Sequence, residues 1–308
     1  MSTQSLRMVL VATDEGLYHV NGGGAARVDE LAGREVRALA IGDDGGWAIV
    51  EGRELWRSAE GERWSPAATV PRWKATCLAA TPAGLLVGTA RAHLLRLDRD
   101  QLEVDSSFDA AEGREAWHTP WGAPADVRSI SSGAAGAVYV NVHVGGVLRS
   151  TDGGAGWRPT LDIEHDVHQV LALPERPGLV LVAAADGFGL SRDGGDTWRW
   201  ENDGLHAHYC RAVALAGDTV LLSASTGHRG RRATLYRRVL DGGRAFERCQ
   251  AGVPEWFADN LDTGCLAARG RTVVIGTEDG CVFLSGDAGE GWDAIAKGLA
   301  PVRAVALG

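Results

Sequence analysis

His206-Ala-His208-Tyr209 is the segment whose residue types and spacing point most directly to chemistry. In an extended segment residues i and i+2 point the same way, so both imidazoles would face one ion or one substrate, with Tyr209 alongside as acid or base. His143 and His168 fall in loops that a compact β fold can bring to the same place. Three or four neutral imidazoles suit a divalent transition metal ion, so zinc, copper, nickel or iron is the cofactor expected for His143, His168, His206 and His208. His118 and Glu278 join Tyr209 as the groups expected to transfer protons. Arginine recurs at one place, as Arg37, Arg128, Arg211 and Arg303, each one residue into a short apolar strand. Guanidinium is well shaped for carboxylate, phosphate or sulfate, so this set is expected to bind a small polar or anionic molecule. Each arginine has the alternative of bonding loop carbonyls in its own repeat, and each histidine that of capping a turn.

These side chains hang on a framework that repeats. Seven segments open alike: Val36-Arg-Ala-Leu-Ala, Thr76-Cys-Leu-Ala-Ala, Val127-Arg-Ser-Ile-Ser, His168-Gln-Val-Leu-Ala-Leu, Cys210-Arg-Ala-Val-Ala-Leu, Gly264-Cys-Leu-Ala-Ala and Val302-Arg-Ala-Val-Ala-Leu. A second apolar run follows most of them, as in Leu85-Leu-Val-Gly-Thr and Thr272-Val-Val-Ile-Gly-Thr. Short β-rich runs separated by Gly/Asp/Asn turns, with no helical periodicity, predict an all-β repeat fold.

The phrase Ser-x-Asp-x-Gly-x-x-Trp occurs at Ser150/Asp152/Gly154/Trp157, Ser191/Asp193/Gly195/Trp198 and Ser285/Asp287/Gly289/Trp292. Worn copies stand at Asp241/Gly243/Phe246 and at Ser58/Glu60/Gly61/Trp64. Serine and aspartate bond nearby amides, glycine supplies left-handed angles and tryptophan covers the turn. The phrase resembles the Asp-box, or BNR repeat, of bacterial sialidases, the sortilin ectodomain and the propellers of photosystem II assembly factors. That resemblance implies a β-propeller with the box on the rim, away from the ligand-binding face.

The last opening strand, Val302 to Leu307, has no second strand after it, whereas Met8-Val-Leu-Val-Ala-Thr begins with a second strand and has no opening one. Together they predict a single domain, residues 1–308. It is a seven-bladed β-propeller of four-stranded antiparallel blades, closed by the C-terminal strand joining the N-terminal blade. In such a ring the loops leading into the innermost strands, and the turns between second and third strands, share one face. Seven of the nine histidines sort to that face, leaving His19 and His165 unassigned. Two long connections, residues 109–126 and 249–263, carry Trp117, His118, Trp121, Trp256 and Phe257, too many aromatics for disordered segments.

A formal charge of −9 argues against nucleic acid or an anionic membrane as partner. No signal-like stretch or membrane-length apolar run is visible, so a cytoplasmic location is expected. The five cysteines form no CxxC pair and are expected to be small buried hydrophobes.

The function expected from these features is that of a hydrolase or lyase acting on a small polar or anionic ligand at a histidine-rich, metal-binding mouth. The alternative is a non-catalytic propeller that scaffolds a protein partner, as the likeness to assembly factors implies. A sialidase-type glycosidase stands third, because the Arg-Ile-Pro phrase of that family is absent. An acid pair for glycoside hydrolysis would have to come from Glu278, Asp279, Asp186, Asp166 and Asp262.

Overall fold

The computed structural model describes residues 9–21, 24–119, 121–243 and 245–308. They form seven four-stranded antiparallel sheets, arranged as blades. The first strands of blades two to seven are Val36–Gly42, Ala75–Thr81, Val127–Ser132, Val167–Ala172, Tyr209–Ala216 and Leu266–Arg269. Leu39, Leu78, Ile130, Leu171, Leu266 and Val305 from these strands and the last one line the central channel.

Why the strands read as unbroken apolar runs is visible in their packing. Successive residues of a strand point to opposite faces, and each blade is covered by a neighbour on both. Val9 and Val11 pack with Val274 and Val282 of blade seven, while Leu10 and Ala12 pack with Ala48 and Val50 of blade two. Seven such apolar layers, one between each pair of neighbouring blades, complete the circle. The ring closes where Val302–Leu307 pairs antiparallel with Val9–Thr13, in the register Val9↔Leu307 and Val11↔Val305.

The repeated phrase joins the third and fourth strands of its blade. In the third copy Ser285 Oγ donates to Asp287 (2.7 Å) and accepts from Gly289 N (2.9 Å), and Asp287 accepts from Gly291 N (3.0 Å). Trp292 Nε1 then donates to Gly289 O at 3.2 Å. The other two full copies repeat the serine and aspartate bonds. Trp198 bonds Gly195 O at 3.1 Å and worn Trp64 bonds Gly61 O at 3.1 Å, whereas Trp157 Nε1 is buried without a partner. Because strands alternate in direction, these turns lie at the opposite end of each blade from the loops leading into the first strands.

The connection over residues 109–126 is anchored by aromatics, as its composition implies. Asp105 caps a short helix, Ser106–Asp109, by accepting from the amides of Ser107 and Phe108 at 3.1 Å. Phe108 is fully buried, edge-on to Trp157 (centroids 5.3 Å) and tilted against Trp117 (5.6 Å). All five cysteines are free. Cys210, Cys249 and Cys265 are buried, Cys77 and Cys281 partly so, and burial pushes Cys77, Cys249 and Cys265 up to about 12. They behave as hydrophobes rather than thiolates.

Candidate functional site at the channel mouth

One irregularity places the chemistry. In six blades the first strand carries a β-bulge near its start, between Val36/Ala38, Ala75/Cys77, Val127/Ser129, Val167/Gln169, Cys210/Val213 and, in the closing strand, beside Ala12/Thr13. A bulged residue is freed from the ladder and its side chain re-aimed. The residues so freed are Arg37, Thr76, Arg128, His168, Arg211 with Ala212, and Arg303. The recurrent arginine of the sequence is therefore the bulge residue, and His168 is its counterpart in blade five.

Arg37, Arg128 and Arg303 line a cavity of about 640 Å³ at the mouth, together with Asp14, Glu35, Asp126, Asp262 and Glu278. Arg303 donates to Asp14 Oδ1 and Glu278 Oε2, both at 2.6 Å. Arg37 pairs with Glu35, and Arg211 with Asp262 at 2.8 Å. Four free guanidiniums are thus not what the mouth presents, because the same loops deliver carboxylates that the strand repeat does not reveal. Glu278 stands here as a partner of Arg303. Arg128 differs: its Nη1 is buried without a hydrogen-bond partner, and burial, then the neighbouring Arg211 charge, lowers its pKa.

Beside Arg128 the structure gathers His143, Asp166 and His168. His143 follows the second strand of blade four, in a turn whose Val144 takes a left-handed φ of 54°. Gly146 closes that turn at φ 75°, where a Cβ would meet Leu161 O at 2.2 Å. Asp166, also left-handed at φ 40°, ends the loop leading into blade five, and His168 is fully buried two residues on. His143 Nε2 lies 3.0 Å from Asp166 Oδ1, and His168 Nε2 3.6 Å from Asp166 Oδ2. Neither the Asp166 Oδ1 nor the His168 Nε2 contact has hydrogen-bond geometry. On the far side of its ring, His168 Nδ1 donates to Cys210 O at 2.6 Å. Burial lowers the pKa of His168. Burial alone would raise that of Asp166, but the two imidazoles hold it well below the usual carboxylate range.

Tyr209 stacks obliquely on His168 with centroids 4.8 Å apart, and burial raises the pKa of its hydroxyl. Trp121 leans over His143 at 5.4 Å and is 66% exposed. Of the four histidines expected to converge, His143 and His168 do so. His206 instead bonds the Tyr236 hydroxyl through Nδ1 (2.8 Å) and packs on Trp256 (5.2 Å), while His208 is exposed. The cause is local: the chain bends at His206 and the strand begins only at Tyr209, so the regular strand alternation assumed for His206 and His208 does not apply. His118, also exposed, donates through Nδ1 to Ala116 O at 2.6 Å and so caps its own loop. Asp166 figured in the sequence only as a candidate acid; its place between two imidazoles depends on the left-handed turn and the bulge after it. His165, unassigned from sequence, reaches Asp186 at 3.0 Å beside this group.

No protein-family model matches the sequence, and no curated protein matches it. Among solved structures, the WD40 β-propeller domain of Doa1 aligns with a TM-score of 0.65 at 12% identity, covering 98% of this chain and 90% of that one. YCF48 bound to a D1 peptide aligns at 0.60 and 13%, covering 96% and 90%. An ancestral GH74 enzyme aligns at 0.62 and 12%, covering 99% of this chain but 40% of that one. At such identities the likeness shows the fold alone, which a WD40 domain, a protein solved with a bound peptide and a GH74 enzyme share. No helix among the described residues is long and apolar enough to cross a membrane.

Proposed function

We propose that this protein is a non-catalytic propeller of the Asp-box class that holds an extended segment of a protein partner across the channel mouth. The observation that carries this reading is Trp121. At 66% exposed it is the most exposed large apolar side chain among the described residues, and it leans over His143 on the connection that leads to Asp126 and Arg128 of the polar cavity. Exposed tryptophan beside paired charges is the composition of an interface hot spot with its polar surround. Lining carboxylates outnumber lining guanidiniums five to three, and the chain carries −9 overall, so a segment bearing basic side chains is favoured over a small anion. Arg128 Nη1 would receive a main-chain carbonyl of that segment. Similarity to YCF48, solved with a bound peptide, supports the reading by analogy of fold.

Panning a random peptide display against the untagged chain tests it. Enrichment of basic sequences is expected, with affinity falling about 30-fold in Trp121→Ala, as for a hot-spot residue worth about 2 kcal/mol. Failure to enrich any sequence, or enriched peptides that bind Trp121→Ala equally well, would sink the proposal.

A further inference from the structure

We propose that His143, Asp166 and His168 together bind one divalent transition metal ion, zinc(II) being the ion that their donors suit best. The inference does not rest on peptide binding. All three side chains offer a ligand atom, and these atoms lie within 4.8 Å of one another. The decisive feature is the state of His168. Its Nδ1 donates to the Cys210 carbonyl, which turns Nε2 toward the cluster, and that atom is buried with no hydrogen-bond partner. Opposite it stands the carboxylate of Asp166, whose Oδ1 is likewise buried without a hydrogen bond, 3.0 Å from His143 Nε2. Buried polar atoms left without a hydrogen-bond partner are costly, and a positive charge held between these groups would satisfy them.

A bound dication supplies that charge. An imidazole whose far nitrogen donates to a backbone carbonyl has the outer contact that metal-bound histidines characteristically make, which fixes the tautomer and aims the other nitrogen. Two imidazole nitrogens and one carboxylate form a donor set that leaves a position for water or another ligand. Bonds of about 2.0–2.2 Å require donor separations of roughly 3–3.5 Å, so the group must contract by about 1 Å at its widest. The carboxylate-rich mouth beside the cluster raises the local concentration of cations.

The test uses the full chain without a histidine tag, stripped with chelator and titrated with zinc(II) by calorimetry, with metal content measured after dialysis. About one ion per chain is expected, with a melting temperature that rises with zinc concentration, as binding to the folded state alone requires. Asp166→Asn and His143→Ala should each weaken zinc binding at least ~100-fold. Both lie outside the strand interior, and their metal-free melting curves report whether they fold; His206→Ala should bind as the parent does. Cobalt(II) substituted for zinc should give visible ligand-field bands in the parent that both variants lose. Zinc binding that is unchanged in folded Asp166→Asn and His143→Ala, or absent from the parent, would overturn the proposal.

Discussion

A protein lacking residues 302–308 should be insoluble or should melt far below the parent. The deleted strand is the first of blade one, bonded to Val9–Thr13 along its length. Val302, Ala304, Val305, Ala306 and Leu307 are at most 8% exposed. They divide between two apolar layers, Val302, Val305 and Leu307 toward blade seven and Ala304 and Ala306 toward blade two. Losing their burial removes roughly 5–10 kcal/mol, comparable with the whole stability of an ordinary domain. Both layers would also lie open to water, and the edge of Val9–Thr13 would be free to pair with another chain. Size-exclusion chromatography and thermal melting read the outcome. Aggregation or loss of a cooperative transition is expected; a monomer melting within a few degrees of the parent would mean that closure contributes little.

Phe108→Ala should produce the next largest loss. Phe108 is fully buried between Trp117 and Trp157, and the short capped helix that carries it begins the connection bearing His118 and Trp121. Truncating such a buried phenylalanine costs about 3–5 kcal/mol through lost burial and the cavity left behind. A fall in melting temperature of about 5–10 °C follows for a chain of this size. The consequence reaches the mouth, because Trp117 loses its packing partner and Trp121 its anchored loop. Limited proteolysis should cut the variant within residues 109–126 faster than the parent, and peptide affinity should fall with it. A variant that is stable, resistant and binds normally would show that the connection is held by other contacts.

The propeller was legible because its signals are local and repeated. Unbroken apolar runs mark strands buried on both faces, and the Ser-x-Asp-x-Gly-x-x-Trp turn closes its hydrogen bonds within eight residues. Closure was legible too, since Val302–Leu307 and the strands after Val9 complete one blade. The site was legible only in part. His143 and His168 sort to one face by strand order alone, whereas the strand alternation expected of His206 and His208 fails because the chain bends at His206 and the strand starts at Tyr209. The recurrent arginine was visible, whereas its pairing was not: Asp14 and Glu278, which hold Arg303, come from blades one and seven and are 289 and 25 residues away in sequence. Asp166 gains its place from a left-handed residue just before a bulge, a backbone detail that residue types do not encode.

The central claim is that the face bearing Trp121, Arg128 and the histidine–aspartate group receives a partner, while the opposite face, with its serine–aspartate turns, is structural. Amide hydrogen exchange with and without a selected peptide measures this directly. Protection is expected in residues 117–126, 143–146, 162–168 and 205–211, with the turns at 150–157, 191–198 and 285–292 unchanged. Protection confined to those turns, with none around Trp121 and Asp166, would contradict the account.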